Sequence, residues 1–318
     1  MVRSSHIVEP KGRFDSLQLD RGSGVQKIVS FPSRDGFRVN ALLMAPSTEA
    51  EVLERPVVLQ VHGVLGHFLA RGTPRTIPPS LLPHGISTLS INTRMAFMGQ
   101  IFGTGIFDDT VYDIEASVRY LEGEGFRNIF ILGYSLGANM VVNYMAGEKR
   151  PSVKGVILEG CSFSLPDSQR GRYHKWGSIP SYEEIYFNAK RILGPDPRRS
   201  RADRVFIVYR AWGDTFNPSH TELFTYKTWW FCRSPEAEKA KTYKLIDRVD
   251  VPMLLLQGED DYIVDGWEPK VLARIARRGG NDDVTLRYIP GARHDCMENP
   301  PRTVKEIVGW LARFGRVG

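Results

Sequence analysis

The residues best suited to chemistry in this chain form the pentapeptide Gly133-Tyr134-Ser135-Leu136-Gly137. It follows an apolar run at 129–132 that predicts a strand, and it opens a helix-like pattern that continues to about residue 146. A nucleophilic serine needs this strand–turn–helix setting. The glycines allow the strand and the helix to approach closely, and the helix N-terminus favours developing negative charge. The pattern therefore predicts Ser135 as a nucleophile.

A serine nucleophile needs a general base, and the histidines narrow the choice. Of the seven in the chain, only His174, His220 and His294 follow Ser135. In a strand–turn–helix site of this kind the order along the chain is serine, acid, histidine. His294 comes directly after the last predicted strand, whereas the other two lie in an aromatic-rich region. Since parallel strands end at one sheet edge, the sequence predicts His294 as the base.

The acid that orients this histidine is expected just after the strand at 253–257. Four carboxylates compete there, namely Glu259, Asp260, Asp261 and Asp265. We take Asp261 as the candidate, with Asp260 and Glu259 as the nearest alternatives, and we expect Asp265 to cap the next helix. Glu159, at the end of another strand, is a further candidate whose alternative role is in core hydrogen bonding. Any of these carboxylates could accept a hydrogen bond from imidazole Nδ1–H.

An acyl-transfer site also needs two backbone N–H donors for the oxyanion. One is expected from Leu136, directly after the nucleophile, and the other from Val64 in the loop that follows the strand at 57–61. His62 begins this loop. It is expected either to hold the loop by a side-chain hydrogen bond or to contact the substrate.

Apolar and aromatic residues are the candidates for the substrate pocket. Besides His62, the residues chosen are Tyr134, Phe97, Met98, Trp176 and Trp212. Core packing is the alternative for each of them. Together they predict a small-molecule acyl substrate that is apolar or aromatic.

Composition excludes several other classes. With 42% hydrophobic and 25% charged residues, the 318-residue chain can build a core without disulfides or metals. The net charge of +6 comes from scattered basic residues, so no nucleic-acid partner is expected. The N-terminus lacks the apolar stretch of a signal peptide, and no apolar run is long enough for a membrane span. We expect a cytoplasmic protein without cofactor or metal, whose three cysteines stay reduced, and which is compatible with a homodimer.

Strands and helices alternate along most of the chain. An Asp-Gly turn joins two strands at 25–31 and 37–44, and further strands are predicted at 57–61, 86–91, 128–132, 153–158, 253–257 and 284–289. Helices are predicted at 109–122, 135–146 and 303–314. This order predicts an α/β fold with a mostly parallel sheet. Residues 1–23 are expected to form an arm, residues 24–161 and 248–318 the core, and residues 162–247 an inserted, mainly helical cap.

The motifs together resemble the α/β-hydrolase superfamily, and especially its carboxylesterase and prolyl-oligopeptidase-like catalytic domains. The resemblance runs from about residue 25 to 315 through Asp35-Gly36, His62-Gly63, the Ser135 pentapeptide, residues 258–261 and residues 291–294. It implies an eight-stranded sheet, a Ser-His-Asp triad and a cap after the sixth strand. It also supports Asp261, because similar proteins have Gly-x-x-Asp at this place.

Two features depart from that resemblance. The loop at 92–98, Asn-Thr-Arg-Met-Ala-Phe-Met, lacks the Asp-x-Arg-Gly of many relatives and is expected to be apolar instead. No propeller precedes the catalytic region, which argues against a prolyl-oligopeptidase-type peptidase. The expected activity is hydrolysis of a carboxylic ester through an acyl-enzyme. A C–C bond hydrolase, a lactonase, an acyltransferase or cyclase, and a non-catalytic ligand-binding homologue are the alternatives.

Overall fold

Twelve strands and nine α-helices are present in the computed structural model, which describes residues 24–46, 51–64, 66–96, 105–147, 150–209, 211–212, 215–216 and 221–315. The strands are β1 (Val25–Pro32), β2 (Arg38–Ala45), β3 (Val57–Val61), β4 (Ser87–Asn92), β5 (Ile129–Tyr134), β6 (Val153–Glu159), β7 (Val205–Val208), β8 (Ala211–Trp212), β9 (Thr215–Phe216), β10 (Glu222–Thr225), β11 (Met253–Gly258) and β12 (Val284–Ile289). The helices are α1 (Glu51–Glu54), α2 (Thr73–Leu81), α3 (Thr110–Gly123), α4 (Leu136–Met145), α5 (Leu165–Lys175), α6 (Tyr182–Leu193), α7 (Tyr226–Arg233), α8 (Glu268–Arg278) and α9 (Pro300–Leu311).

Eight of these strands form the central sheet, in the order β1-β2-β4-β3-β5-β6-β11-β12. The hairpin β1–β2 is antiparallel, and β2 also runs antiparallel to β4, whereas every other neighbouring pair is parallel. The predicted eight-stranded, mostly parallel sheet is therefore confirmed. Because β5, β11 and β12 share one direction, the loops that follow them emerge at the same sheet edge.

Helices cover both faces of the sheet, which explains why its central strands are apolar throughout. Every residue of β3 and β11 is buried. Along β5 the side chains alternate between two cores: Ile131 belongs to the core that residues of α3, α4 and α8 also form, and Leu132 to the core that residues of α2 and α9 form. A strand buried on both faces has no polar face, so its sequence shows a continuous apolar run.

Helix α2 is absent from the sequence-based prediction. Its sequence contains Pro74 near the N-terminus and Pro78 and Pro79 inside the helix. Interior prolines remove backbone hydrogen bonds and argue against a helix. The helix forms nonetheless because Ile77 and Leu81 are buried against the sheet. Tertiary burial has overridden the local propensity.

The segment between β6 and β11 is more mixed than the prediction of a mainly helical insertion. It contains α5, α6 and α7, but also an antiparallel pair formed by β7 and β10 and a short pair formed by β8 and β9. β7 is largely exposed on one face, since Val205 and Ile207 are each 39% exposed. Its four residues, Val205–Val208, form an apolar run as continuous as those of the sheet strands, but its partner β10 has the sequence Glu-Leu-Phe-Thr and does not.

The described part of the loop after β4 buries the apolar side chains of Met95 and Ala96, and it also buries a charged one, Arg94. Arg94 is buried and donates hydrogen bonds to Asp113 of α3, with an Nη2–Oδ1 distance of 2.8 Å. It also reaches Asp35 in the β1–β2 turn, where the Nη1–Oδ2 distance is 2.7 Å. The guanidinium of Arg94 strongly lowers the pKa of Asp35. This arginine thus fixes the loop against the hairpin and α3.

Candidate active site

Ser135 occupies a sharp turn between β5 and α4. Its backbone has φ 53° and ψ −119°, a left-handed conformation that is uncommon for residues other than glycine. Its N–H donates to the carbonyl oxygen of Glu159 on β6 at 2.7 Å, which holds the turn against the neighbouring strand. The side chain is half-buried at the N-terminus of α4. Strained backbones of this kind concentrate at functional sites.

The two glycines of the pentapeptide are required by space. A Cβ at Gly133 would lie 2.5 Å from the carbonyl oxygen of Gly137, and a Cβ at Gly137 would lie 2.6 Å from the carbonyl oxygen of His62. Real side chains do not approach backbone atoms this closely. The turn can therefore pack between β3 and α4 only if both positions lack a side chain.

His294 lies directly beside this serine. Its Nε2 atom is 2.8 Å from Ser135 Oγ, and its Nδ1 atom is 2.8 Å from Oδ2 of Asp261. The imidazole is 13% exposed and the Asp261 carboxylate 1%. The three residues come from the loops after β5, β11 and β12, which the parallel sheet brings to one edge. The structure thus brings the three predicted residues into one hydrogen-bonded chain.

Asp261 is held as a buried carboxylate. Its Oδ1 atom accepts the backbone N–H groups of Ile263 and Val264 at 2.7 and 3.0 Å, and Oδ2 accepts Nε2–H of Gln257 at 2.7 Å. Burial acts to raise its pKa, but the hydrogen bonds from His294 and from these backbone groups outweigh it, so the pKa lies below its usual value.

The competing carboxylates are placed elsewhere. Glu259 and Asp260 are exposed, and the Nδ1 atom of His294 faces Asp261. Asp265 does not act as the side-chain cap of α8: the N-cap position is Trp267, which makes no side-chain cap bond. The carbonyl oxygen of Asp265 instead accepts the N–H of Glu268.

Glu159 and Tyr134 are both neighbours of Ser135: the serine N–H donates to the Glu159 carbonyl oxygen, and Tyr134 precedes the serine in the chain. Glu159 is fully buried, and burial raises the pKa of its carboxyl well above the usual range. The Tyr134 ring lies against the imidazole of His294, with ring centroids 5.5 Å apart and an interplanar angle of 48°. Gly63 packs on the same tyrosine, since a Cβ there would lie 3.0 Å from Tyr134 Cδ1. Tyr134 therefore lies between the histidine and the loop after β3.

That loop contains the second expected backbone donor. A Cβ on Gly63 would lie 3.3 Å from Ser135 Cβ, so Val64, the next residue, is close to the serine. Leu136 is the first residue of α4, and the first N–H groups of a helix have no intrahelical partner. Leu136 thus follows Ser135 directly, and Val64 follows the glycine that contacts it; the role of their N–H groups as oxyanion donors stays a prediction.

His62 is buried beneath the same loop, with 1% of its surface exposed. Its Nδ1 atom lies 2.8 Å from the carbonyl oxygen of Gly63, and Nε2 accepts the Thr93 N–H at 3.2 Å. Burial lowers the pKa of His62 to about 4. Because both ring nitrogens of the neutral imidazole already have hydrogen-bond partners, neither is available to a substrate. These contacts favour the prediction that His62 holds the loop by a side-chain hydrogen bond.

Of the other predicted pocket residues, the structure describes only the side chain of Trp176. Phe97 and Met98 lie outside the described residues, as do the predicted arm 1–23 and the side chain of Trp212. Trp176 is buried at the end of α5, with 4% of its surface exposed. It offers little surface to a ligand.

Three residues near the site are missing from the sequence-based prediction. Thr93 anchors His62, and Gln257 holds Asp261. Gly160, with φ +60°, contacts the histidine, since a Cβ there would lie 2.9 Å from His294 Cε1. Gln257 is a polar residue at the end of the apolar strand β11, and this pattern is the sequence signal that could have identified it as a residue of the site.

Two negative findings apply to the described part of the chain. Within it, no group of three histidine, cysteine, aspartate or glutamate side chains could hold a metal ion. None of the helices described combines the length and the apolarity that crossing a membrane requires. The three cysteines are free and buried.

Solved structures of esterases resemble this fold. Esterase Pf2001 from Pyrococcus furiosus aligns with a TM-score of 0.60 and 16% identity over 91% of this chain and 90% of its own. Est1E from Butyrivibrio proteoclasticus, solved with ferulic acid bound, aligns with a TM-score of 0.61 and 18% identity over 90% of this chain and 98% of its own. An esterase domain from a Rhodothermus marinus protein aligns with a TM-score of 0.56 and 18% identity over 91% of this chain and 98% of its own.

Sequence comparison assigns the family. Among curated protein sequences, none matches the chain. A family model described as the alpha/beta hydrolase family matches residues 58–306, which include Ser135, Asp261 and His294. This match covers most of the chain and agrees with the sheet order and with the esterase structures that share the fold. The chain belongs to the alpha/beta hydrolase family.

Proposed function

We propose that the protein hydrolyses carboxylic esters of small molecules through an acyl-enzyme on Ser135. The single observation that carries this proposal is the chain of two 2.8 Å contacts from Ser135 Oγ through His294 to Asp261. In the proposed assignment Ser135 is the nucleophile, His294 the general base and Asp261 the acid that orients the base.

The proposed reaction begins when Ser135 Oγ attacks the ester carbonyl carbon and its proton passes to His294 Nε2. The Nδ1–H of the imidazolium donates to Asp261, which keeps the ring in the required tautomer. Collapse of the tetrahedral intermediate breaks the bond to the alkoxy oxygen, and His294 protonates the departing alcohol. Water, deprotonated by the same histidine, then attacks the acyl-enzyme, releases the carboxylic acid and restores Ser135.

Negative charge develops on the carbonyl oxygen during both attacks. We assign its stabilisation to the backbone N–H groups of Leu136 and Val64. The contacts of His62 with Gly63 and Thr93 support this assignment, because they hold the Val64 loop in place before substrate binds. Donors fixed in advance need no reorganisation when the charge appears.

We further propose that residues 162–247 act as a cap on the core formed by residues 24–161 and 248–318. The position of this segment after β6 supports it, because β6 is parallel to β5 and β11 and ends at the sheet edge where their following loops carry Ser135 and Asp261. The esterases that share the fold support an ester substrate, and the ferulic acid held by one of them supports an aromatic acyl group.

The test is the Ser135→Ala variant assayed with p-nitrophenyl acetate and butyrate. We expect an intact fold and a loss of kcat/KM of at least about 10³-fold. Ser80→Ala, which alters a partly buried serine on α2, is the control and should keep full activity. A fluorophosphonate probe should label the peptide that contains Ser135 in the wild type. Undiminished turnover in Ser135→Ala contradicts the mechanism.

Product analysis separates this proposal from the alternatives. Hydrolysis gives the free acid and the alcohol in equal amounts. Acyl transfer or cyclisation would give less free acid than alcohol, and an added alcohol would raise the yield of the new ester. A wild-type protein that binds ester but neither turns over nor takes up the fluorophosphonate would be a ligand-binding homologue.

A further inference from the structure

A groove of about 440 Å³ runs between α5, the turn at Tyr243 and the loop that follows Asp261. Four aromatic side chains line it, namely Phe163, Tyr243, Tyr262 and Trp267. None of them is among the pocket residues that the sequence predicts.

Each wall of the groove follows along the chain from a residue of the candidate site. Tyr262 directly follows Asp261, whose carboxylate lies 2.8 Å from the His294 imidazole. On the opposite wall, Phe163 is three residues beyond Gly160, which contacts the same imidazole. Three residues span at most about 11 Å. The groove wall at Phe163 therefore begins within about 11 Å of Gly160, the residue that contacts the His294 imidazole.

A buried carboxylate joins the two walls. Glu268 is 2% exposed, and its Oε2 atom accepts the Phe163 N–H at 2.7 Å and the Ser168 hydroxyl at 2.9 Å. Its Oε1 atom accepts the Asp265 N–H at 3.0 Å and lies 3.2 Å from Nη2 of Arg172. These bonds fix α5 and the Asp261–Glu268 loop relative to each other. The groove is thus formed before any ligand arrives, which reduces the entropy cost of binding.

The aromatic rings leave a large surface for a ligand. Phe163 stacks on Tyr243, with ring centroids 4.5 Å apart and an interplanar angle of 5°. The Trp267 ring contacts Phe163 with centroids 5.3 Å apart and an interplanar angle of 56°. Trp267 is nevertheless 50% exposed and Tyr262 40%. Half-exposed rings on a rigid aromatic base offer stacking and edge-to-face contacts to another flat ring.

Charge selects between an ionised and a neutral ligand. The ionisable side chains in the lining are two bases, Arg172 and Lys175, and three acids, Asp167, Asp265 and Glu268. Arg172 already faces Glu268. The lining thus carries no excess of positive charge that would attract a carboxylate or phosphate, and its four aromatic rings fit a flat ring that bears no negative charge.

We propose that this groove binds the neutral aryl end of an arylalkanoyl ester, and so selects the acyl group that is transferred to Ser135. The proposal rests on the function proposed above. The acyl chain would lie between Ser135 and the groove, and the aryl ring would contact Trp267 and Tyr262. No covalent step occurs in the groove.

The test compares methyl 3-phenylpropanoate with methyl butanoate, whose leaving group is the same. Trp267→Ala should lower kcat/KM for the phenylpropanoate about tenfold, since an aromatic pair is worth about one power of ten, and should change the butanoate less than twofold. Phe187→Ala is the matched control, because Phe187 is an exposed aromatic residue on α6 outside the groove lining. It should change neither ester.

A binding measurement keeps this test separate from the test of the mechanism. In Ser135→Ala, saturation-transfer NMR should show the phenyl ring of unhydrolysed methyl 3-phenylpropanoate in contact with the protein, and Trp267→Ala in the same background should weaken that signal, with Kd raised about tenfold. Equal effects of Trp267→Ala on both esters, or an unchanged NMR signal, would overturn the groove assignment while Ser135-dependent turnover persists. Turnover that survives Ser135→Ala would instead overturn the mechanism.

Discussion

Gln257 and His294 contact the same oxygen atom of Asp261. Gln257 Nε2 donates to Oδ2 at 2.7 Å, and His294 Nδ1 lies 2.8 Å from that atom. The other oxygen, Oδ1, is occupied by the N–H groups of Ile263 and Val264. The carboxylate therefore has a single orientation, set by β11 and the turn after it, and this orientation directs one oxygen at the histidine.

Asp261→Asn should cost far more activity than the same change one residue earlier. An asparagine keeps the shape but presents an amide where His294 needs an acceptor, so the imidazole adopts the wrong tautomer. In comparable triads this exchange lowers kcat about 10⁴-fold. Asp260→Asn, at an exposed position, should stay within twofold of the wild type. Steady-state kinetics with p-nitrophenyl acetate measure both variants, and equal losses would show that Asp261 is not the acid.

The buried His62 predicts a pH-dependent contribution to stability. Burial lowers its pKa to about 4 from an ordinary value of 6.5. Between pH 6.5 and 4, His62 is therefore protonated in the unfolded chain and neutral in the folded chain. The contribution of the neutral ring is complete above pH 6.5 and is lost as the pH falls towards 4, by about 3 kcal/mol in all.

His62→Gln isolates this contribution, because glutamine does not titrate. Urea unfolding at pH 7.5, 6, 5 and 4 gives the difference in unfolding free energy between the wild type and the variant. We expect that difference to shrink by about 3 kcal/mol towards acid pH. A difference that stays constant with pH would mean that the folded state accepts the proton on His62.

Two helical glycines give a matched test of the tight turn at Ser135. In Gly137→Ala, the new methyl group would meet the backbone carbonyls of Val61 and His62, which cannot move without distorting β3. We expect a loss of about 3 kcal/mol in unfolding free energy and a loss of activity. In Gly309→Ala on α9 no atom lies within 4 Å of the added methyl, so stability should rise by about 1 kcal/mol. Thermal unfolding would detect either change, and equal effects would contradict the close approach.

Much of the fold follows from the sequence because the parallel strands are buried on both faces. β3 and β12 begin and end at the predicted residues, and the other sheet strands differ by one or two residues. Helix α2 does not follow, since its prolines argue against it and only its burial explains it. The pair of β7 and β10 is missed although β7 is an apolar run, because each strand is only four residues long and β10 begins with a glutamate and ends with a threonine.

The site divides in the same way. The order of serine and histidine along the chain, together with strands that end at one sheet edge, is enough to predict that Ser135 and His294 meet. Choosing among the four carboxylates requires the backbone path of the turn after β11, which places the N–H groups of Ile263 and Val264 behind Asp261. The aromatic groove depends on contacts between distant segments, and no local pattern identifies it.

A crossover between neighbouring parallel strands needs only about a dozen residues. β6 and β11 are such neighbours, yet the connection between them comprises residues 160–252. The length of that stretch is therefore not set by the strand connection itself. On the proposals above, the core holds the bond-breaking residues, and the groove combines Phe163 and Tyr243 of this stretch with Tyr262 and Trp267 of the core. Exchanging residues 162–247 would then change one side of the groove and leave the Ser135 turn intact.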